Sequence, residues 1–113
     1  MKEVCVSFIS KQVQKKFLSL SSGKYEEIKL LNQLNKAFDV LKINHLSGVK
    51  IPKTNWPDAY VIKYEVTNLY KINLPNAFRL IFTIETDEDN LFVIILDWFN
   101  HKDYCKKFKY CVN

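Results

Sequence analysis

The sequence predicts an α+β domain in which an N-terminal strand and two helices are followed by three strands of an antiparallel-rich sheet and a short terminal helix. Three observations carry this. Val13, Phe17 and Leu20, and then Ile28, Leu31, Leu34, Phe38 and Leu41, recur at helical spacing. Residues 69–74 and 78–84 alternate apolar and polar side chains around Pro75-Asn76, a hairpin signature. Leu91–Trp98 is an almost unbroken apolar run, as in a strand buried on both faces.

Glu3–Ile9 alternates weakly and is rich in β-formers, giving the first strand. Ser10 offers its hydroxyl as an N-cap to the helix behind it, and Ser21-Ser22-Gly23 ends that helix. In the second helix Leu30 and Ala37 widen the apolar stripe. Glu26 and Glu27 fall in its first turn and Lys42 in its last, as the macrodipole favours. Ser47-Gly48 closes the helical region. Residues 49–67 are the least regular, since Pro52 and Pro57 deny a continuous element, although Asp58 can cap a single helical turn over residues 59–64. Lys50, Lys53, Trp56, Tyr60, Lys63 and Tyr64 interleave cations with aromatics in and beside this stretch. That mixture suits an RNA surface that grips backbone and stacks bases. It equally suits aromatics that close the edge of a core beneath solvated lysines. In the hairpin, Tyr70, Ile72 and Leu74 share one face of the first strand, with Lys71 and Asn73 on the other. Phe78, Leu80, Phe82 and Ile84 face one way in the second, with Arg79 and Thr83 opposite. Residues 86–90 form an acidic turn, and residues 100–110 leave the sheet as a short helix.

A chain of 113 residues suffices for one core and one domain, 1–113. Hydrophobic and charged contents of 48% and 26% are those of a soluble globular protein. No apolar run approaches the roughly 20 residues that span a bilayer, and no secretory leader is legible, so a cytoplasmic protein without membrane contact is expected. Cys5, Cys105 and Cys111 are odd in number and lack CxxC spacing, which points to reduced thiols and to neither a zinc site nor a disulfide framework. The charge of +5 inclines the chain toward polyanionic partners.

The pairing implied by Pro75-Asn76 sends Lys71 and Arg79 to the same face of adjacent strands, with His101 and Tyr104 where the chain leaves the next strand. A Lys, an Arg, a His and a Tyr, with no carboxylate pair or metal cluster, are what metal-free phosphodiester chemistry on RNA needs. The ribose 2′-OH is the nucleophile, an imidazole titrating near neutrality can take its proton, and a guanidinium can hold the phosphoryl oxygens. Each residue also has a plainer role. Arg79 could pair with Asp97, His101 could be structural, and Lys71 could be a solvated cation.

The pattern NLYKINLPNAFRLIFTI followed by IILDWFNHKDY, behind a strand and two helices, resembles the RelE/ParE superfamily of type II toxin–antitoxin toxins over nearly the whole chain. The resemblance implies a RelE-like fold and, in the RelE branch, a metal-independent, cofactor-free mRNA interferase that cuts messages in the ribosomal A site through a 2′,3′-cyclic phosphate. It implies a cognate antitoxin in a hetero-oligomer, and contact with mRNA and rRNA. By similarity Lys71 binds phosphate, Arg79 stabilises the transition state, and His101 and Tyr104 complete the catalytic set, while Lys50, Lys53, Lys63 and Lys102 are expected to hold RNA. Asn73 stands where RelE carries a second lysine, a role that Lys63 or Lys102 would have to supply. A ParE-like gyrase inhibitor, whose branch generally lacks this basic–His–Tyr set, and an inactive relative that only binds a partner are the other readings.

Overall fold

The computed structural model describes residues 2–109 and is an α+β fold with four helices and a five-stranded mixed sheet. The elements are β1 (Glu3–Phe8), α1 (Lys11–Ser19), α2 (Tyr25–Ile43), β2 (Val49–Lys50), α3 (Asp58–Tyr64), β3 (Tyr70–Asn73), β4 (Arg79–Thr86), β5 (Asn90–Phe99) and α4 (His101–Lys107). The strand order is β1-β5-β4-β3-β2, parallel between β1 and β5 and antiparallel elsewhere. Tyr110 and Cys111, to which the sequence assigns a helix end and a thiol, lie outside the described residues.

Helices cover both faces of the sheet. On the first, Leu34, Phe38 and Leu41 of α2 and Val13 of α1 pack on Leu80, Phe82, Val93 and Ile95. Phe8, Phe17, Phe38 and Trp98 join this core as a chain of tilted and edge-on rings with centroids 5.1–6.4 Å apart. Beneath the second face a smaller core gathers Ile51, Trp56, Tyr60, Ile81, Leu96, Tyr104 and Phe108. Ser10 caps α1 as expected, its Oγ accepting from the Val13 N–H at 3.2 Å.

Several expectations shift. Ile28 is exposed, and the buried stripe of α2 runs through Leu30, Leu34, Ala37, Phe38 and Leu41. Six residues before Leu34, Ile28 stands roughly 120° away around the helix, off the face that meets the sheet. Asp58 is the first helical residue of α3 rather than its cap, and Pro57 precedes it. The irregular stretch also yields the edge strand β2, where Val49 pairs with Lys71 and Lys50 with Tyr70. Trp56 and Tyr60 are core residues, 7% and 5% exposed, so they offer no stacking surface. Trp56 Nε1–H donates to the Ile51 carbonyl at 2.9 Å, which satisfies the indole inside. β5 is buried on both faces only in its C-terminal half, since Phe92 and Ile94 stay half-exposed where no helix covers the second face.

Between β4 and β5 the register steps by one residue. Ile81 pairs with Asp97 and Phe82 with Ile95, which leaves Leu96 as a bulge. Leu96 joins the second core while Ile95 and Trp98 stay in the first. After the bulge Phe99 pairs with Arg79, and the chain turns into α4 against the second face.

Gly48 sits where the chain enters β2. A Cβ there would lie 2.5 Å from Cζ of Phe82, itself fully buried and unable to yield. Gly48→Ala is therefore expected to destabilise the fold by about 1–3 kcal/mol, the usual cost of overpacking. Urea unfolding should show a lower midpoint at unchanged slope.

Candidate active site

Three chain segments end at one corner of the second face: β3 as it enters its turn, β4 as it leaves that turn, and β5 as it gives way to α4. The hairpin turn sets the first two. Leu74 N–H donates to the Phe78 carbonyl at 2.8 Å, and Asn76 and Ala77 both take positive φ of 64°. Asparagine tolerates that conformation, whereas alanine adopts it at some cost. Arg79 thus enters β4 opposite Asn73, and Lys71 lies opposite Ile81. Since Ile81 faces the second core, Lys71 and Arg79 share that face. Asn100 caps α4 by accepting from the Asp103 N–H at 2.8 Å, which starts the helix at His101 and carries Tyr104 and Cys105 one turn on.

Lys71, Arg79, His101, Tyr104 and Cys105 line one cavity of about 200 Å3. All four side chains singled out for RNA chemistry therefore meet at one place. The Tyr104 ring, 3% exposed and stacked on Phe108 at 4.7 Å, is a platform for both cations. Lys71 Nζ stands 5.2 Å and the Arg79 guanidinium carbon 5.9 Å from its centroid. Cation–π attraction of this kind offsets part of the repulsion between the two charges. Asp97 does not pair with Arg79; it is bound by Lys16 of α1. Arg79 spends one donor on the Phe78 carbonyl at 3.2 Å, and its Nε is buried without a hydrogen-bond partner. The guanidinium so keeps donor capacity for an added oxyanion.

His101 is exposed at the rim, and Cys105 Sγ lies 3.6 Å from its Nε2. Cys105 is the site residue that sequence reasoning missed. Its signal was the His101-x-x-x-Cys105 spacing, which puts both side chains on one helical face.

The chain matches no family model, no curated protein and no solved structure. Of the lysines expected to hold RNA, Lys50, Lys53 and Lys102 are exposed, on β2, after it and on α4, and none lines this cavity. Lys63 lines a different cavity beyond α4. A larger groove between α2 and β3, lined by Lys29, Lys36, Val40, Ile72 and Leu74 among others, has no histidine, cysteine or carboxylate in its wall. No helix among the described residues is long and apolar enough to cross a membrane.

Burial first, and the Arg79 guanidinium second, hold the Lys71 amine below its ordinary value of 10.5, with Cys105 opposing them. A lysine with a lowered folded-state pKa costs stability while it is charged. That cost is full below the folded value and vanishes as pH rises toward 10.5. Lys71→Met should therefore raise the urea midpoint at neutral pH, with a gain that shrinks as pH climbs toward that value.

Proposed function

We propose that this protein is a RelE-like toxin of a type II toxin–antitoxin pair, a metal-independent endoribonuclease that cuts mRNA in the ribosomal A site. The observation that carries the reading is the meeting of Lys71, Arg79, His101 and Tyr104 at one cavity. The likeness of residues 68–84 and 94–104 to that superfamily adds to it, as does the charge of +5.

In this reading the ribose 2′-oxygen attacks the adjacent phosphorus as the bond to the 5′-oxygen breaks, leaving a 2′,3′-cyclic phosphate and a 5′-hydroxyl. His101, open to solvent at the rim, takes the 2′-proton. Lys71, with its lowered pKa, is suited to hand a proton to the departing 5′-oxygen. Arg79 gathers the non-bridging oxygens through its spare donors and meets the charge that grows in the transition state. Tyr104 holds the two cations in register through its ring. The exposed Lys50, Lys53 and Lys102 supply screened attraction to RNA. A cationic site of this kind is silenced by an acidic, amphipathic antitoxin segment that orders on binding.

Single-turnover cleavage at saturating ribosomes tests the assignment. Arg79→Ala should lower the rate by about 10²-fold or more, as loss of a preorganised donor to a developing charge does. Ribosome affinity should change little. Lys50→Ala and Lys53→Ala should instead weaken binding and flatten its salt dependence, with near-normal cleavage once bound. An Arg79→Ala protein that cuts at the native rate would leave the corner a binding surface. Absence of cleavage by the native chain, with growth arrest and inhibited gyrase, would move the protein to the ParE branch.

A further inference from the structure

The cover that α1 and α2 give the first face of the sheet ends short of β3. Ile72 pairs with the fully buried Leu80, yet is itself only half-buried. The groove left between α2 and β3 holds about 430 Å3. Ala37, Val40, Ile72 and Leu74 give it an apolar lining, of which Val40 is still 47% exposed. Its charged residues are Lys29 and Lys36, with no carboxylate, and neither lysine enters an ion pair among the described residues. They lie seven positions apart on α2, a rise of roughly 10.5 Å, so their stems leave the helix two turns apart on one side. An occupant that answers this wall carries two carboxylates at that spacing with apolar side chains between them.

The chain itself displays that complement on α3. Tyr60 turns into the second core and Tyr64 packs against it, which leaves Asp58, Val61, Ile62 and Glu65 on the outer side. These are positions i, i+3, i+4 and i+7 of one helical stripe, two acids bracketing two aliphatic side chains. Glu65 closes α3 with its N–H on the Val61 carbonyl at 3.1 Å, so it keeps its place on the stripe. Val61 and Ile62 are 42% and 78% exposed, so the stripe has apolar surface left to bury. Among the described residues Asp58 meets only Lys109, at 3.9 Å and open to solvent, which holds it weakly, and Glu65 enters no ion pair. α1 has no acidic residue and the 85–89 turn has no aliphatic one, so α3 is the element that matches.

We infer that the α2–β3 groove receives α3 of a second copy of this chain, with Val61 and Ile62 laid on Val40, Ile72 and Leu74 and with Asp58 and Glu65 against Lys29 and Lys36. The groove opens on the first face of the sheet and α3 lies under the second. The contact therefore joins unlike patches, and copies add in a row rather than closing as a pair. A four-residue stripe buries less than the roughly 800 Å2 per partner of a standard interface, so the association is weak and reversible and is favoured by low salt. It does not depend on the cleavage reading, since no residue of the Lys71–Arg79 corner lines the groove.

The test is sedimentation velocity on the full chain over a range of concentrations, with methyl NMR alongside. The mean mass should climb steadily with concentration and return to that of one chain as salt is added. The methyl signals of Val40, Ile72, Val61 and Ile62 should move together along the same series. Ile62→Ser changes an exposed side chain, so it should weaken association about tenfold or more while leaving the urea midpoint in place. The paired reversals Lys29→Glu/Lys36→Glu and Asp58→Lys/Glu65→Lys should each leave a monomer. An equimolar mixture of the two should associate again, since each chain then offers the charge that the other's groove requires. A mass that stays at one chain throughout, methyl shifts confined to other residues, or a mixture that remains monomeric would overturn the inference. A synthetic acidic amphipathic peptide that shifts Val40 and Ile72 while the chain stays monomeric would give the groove to another protein, and overturn the contact between copies equally.

Discussion

The arrangement of both faces depends on one irregularity, the bulge at Leu96. Strand side chains alternate, so without it the C-terminal end of β5 would show each face the opposite set. The extra residue lets Ile95 and Trp98 fill the core under α1 and α2, while Leu96 and Phe99 turn toward α3 and α4. It also points Asp97 toward the second face, beside Ile81, where Lys16 closes on it. Arg79, paired with Phe99 beyond the bulge, shares that face, and the carboxylate is taken by Lys16 instead.

The parallel pairing of β1 with β5 is the companion constraint. It brings the end of β1 and the start of α1 beside the C-terminal half of β5, with Ile9 N–H on the Ile95 carbonyl at 2.9 Å. Lys16 can therefore reach Asp97 while lying 4.6 Å from the centroid of the Trp98 ring. The same crossing brings Ser10 and Gln12, at the start of α1, to the cavity that Lys63 lines. α4 divides the two cationic cavities, giving His101, Tyr104 and Cys105 to one and Lys107 to the other. Phe108 anchors that division, stacked on Tyr104 and edge-on to Tyr60 and Phe99.

Local signals wrote much of this into the sequence. Period-2 alternation about Pro75-Asn76 placed Lys71 and Arg79 on one face, because strand geometry and a short turn leave no other choice. Helical spacing found α1 and α2, and the Ser10 cap was legible from a single hydroxyl. Tertiary contacts decided the rest. Ile28 fits a helical stripe on paper, but the sheet touches only a limited arc of α2. Trp56 and Tyr60 have the composition of a stacking surface, and only the packing of α3 under the sheet shows them buried. The bulge leaves no mark in an apolar run, since Ile94, Ile95 and Leu96 suit either face alike. The pairing of Asp97 with Lys16 and the meeting of His101 and Tyr104 with Lys71 and Arg79 follow from how α1 and α4 close beside that bulge, which is a long-range matter that spacing along the chain does not encode.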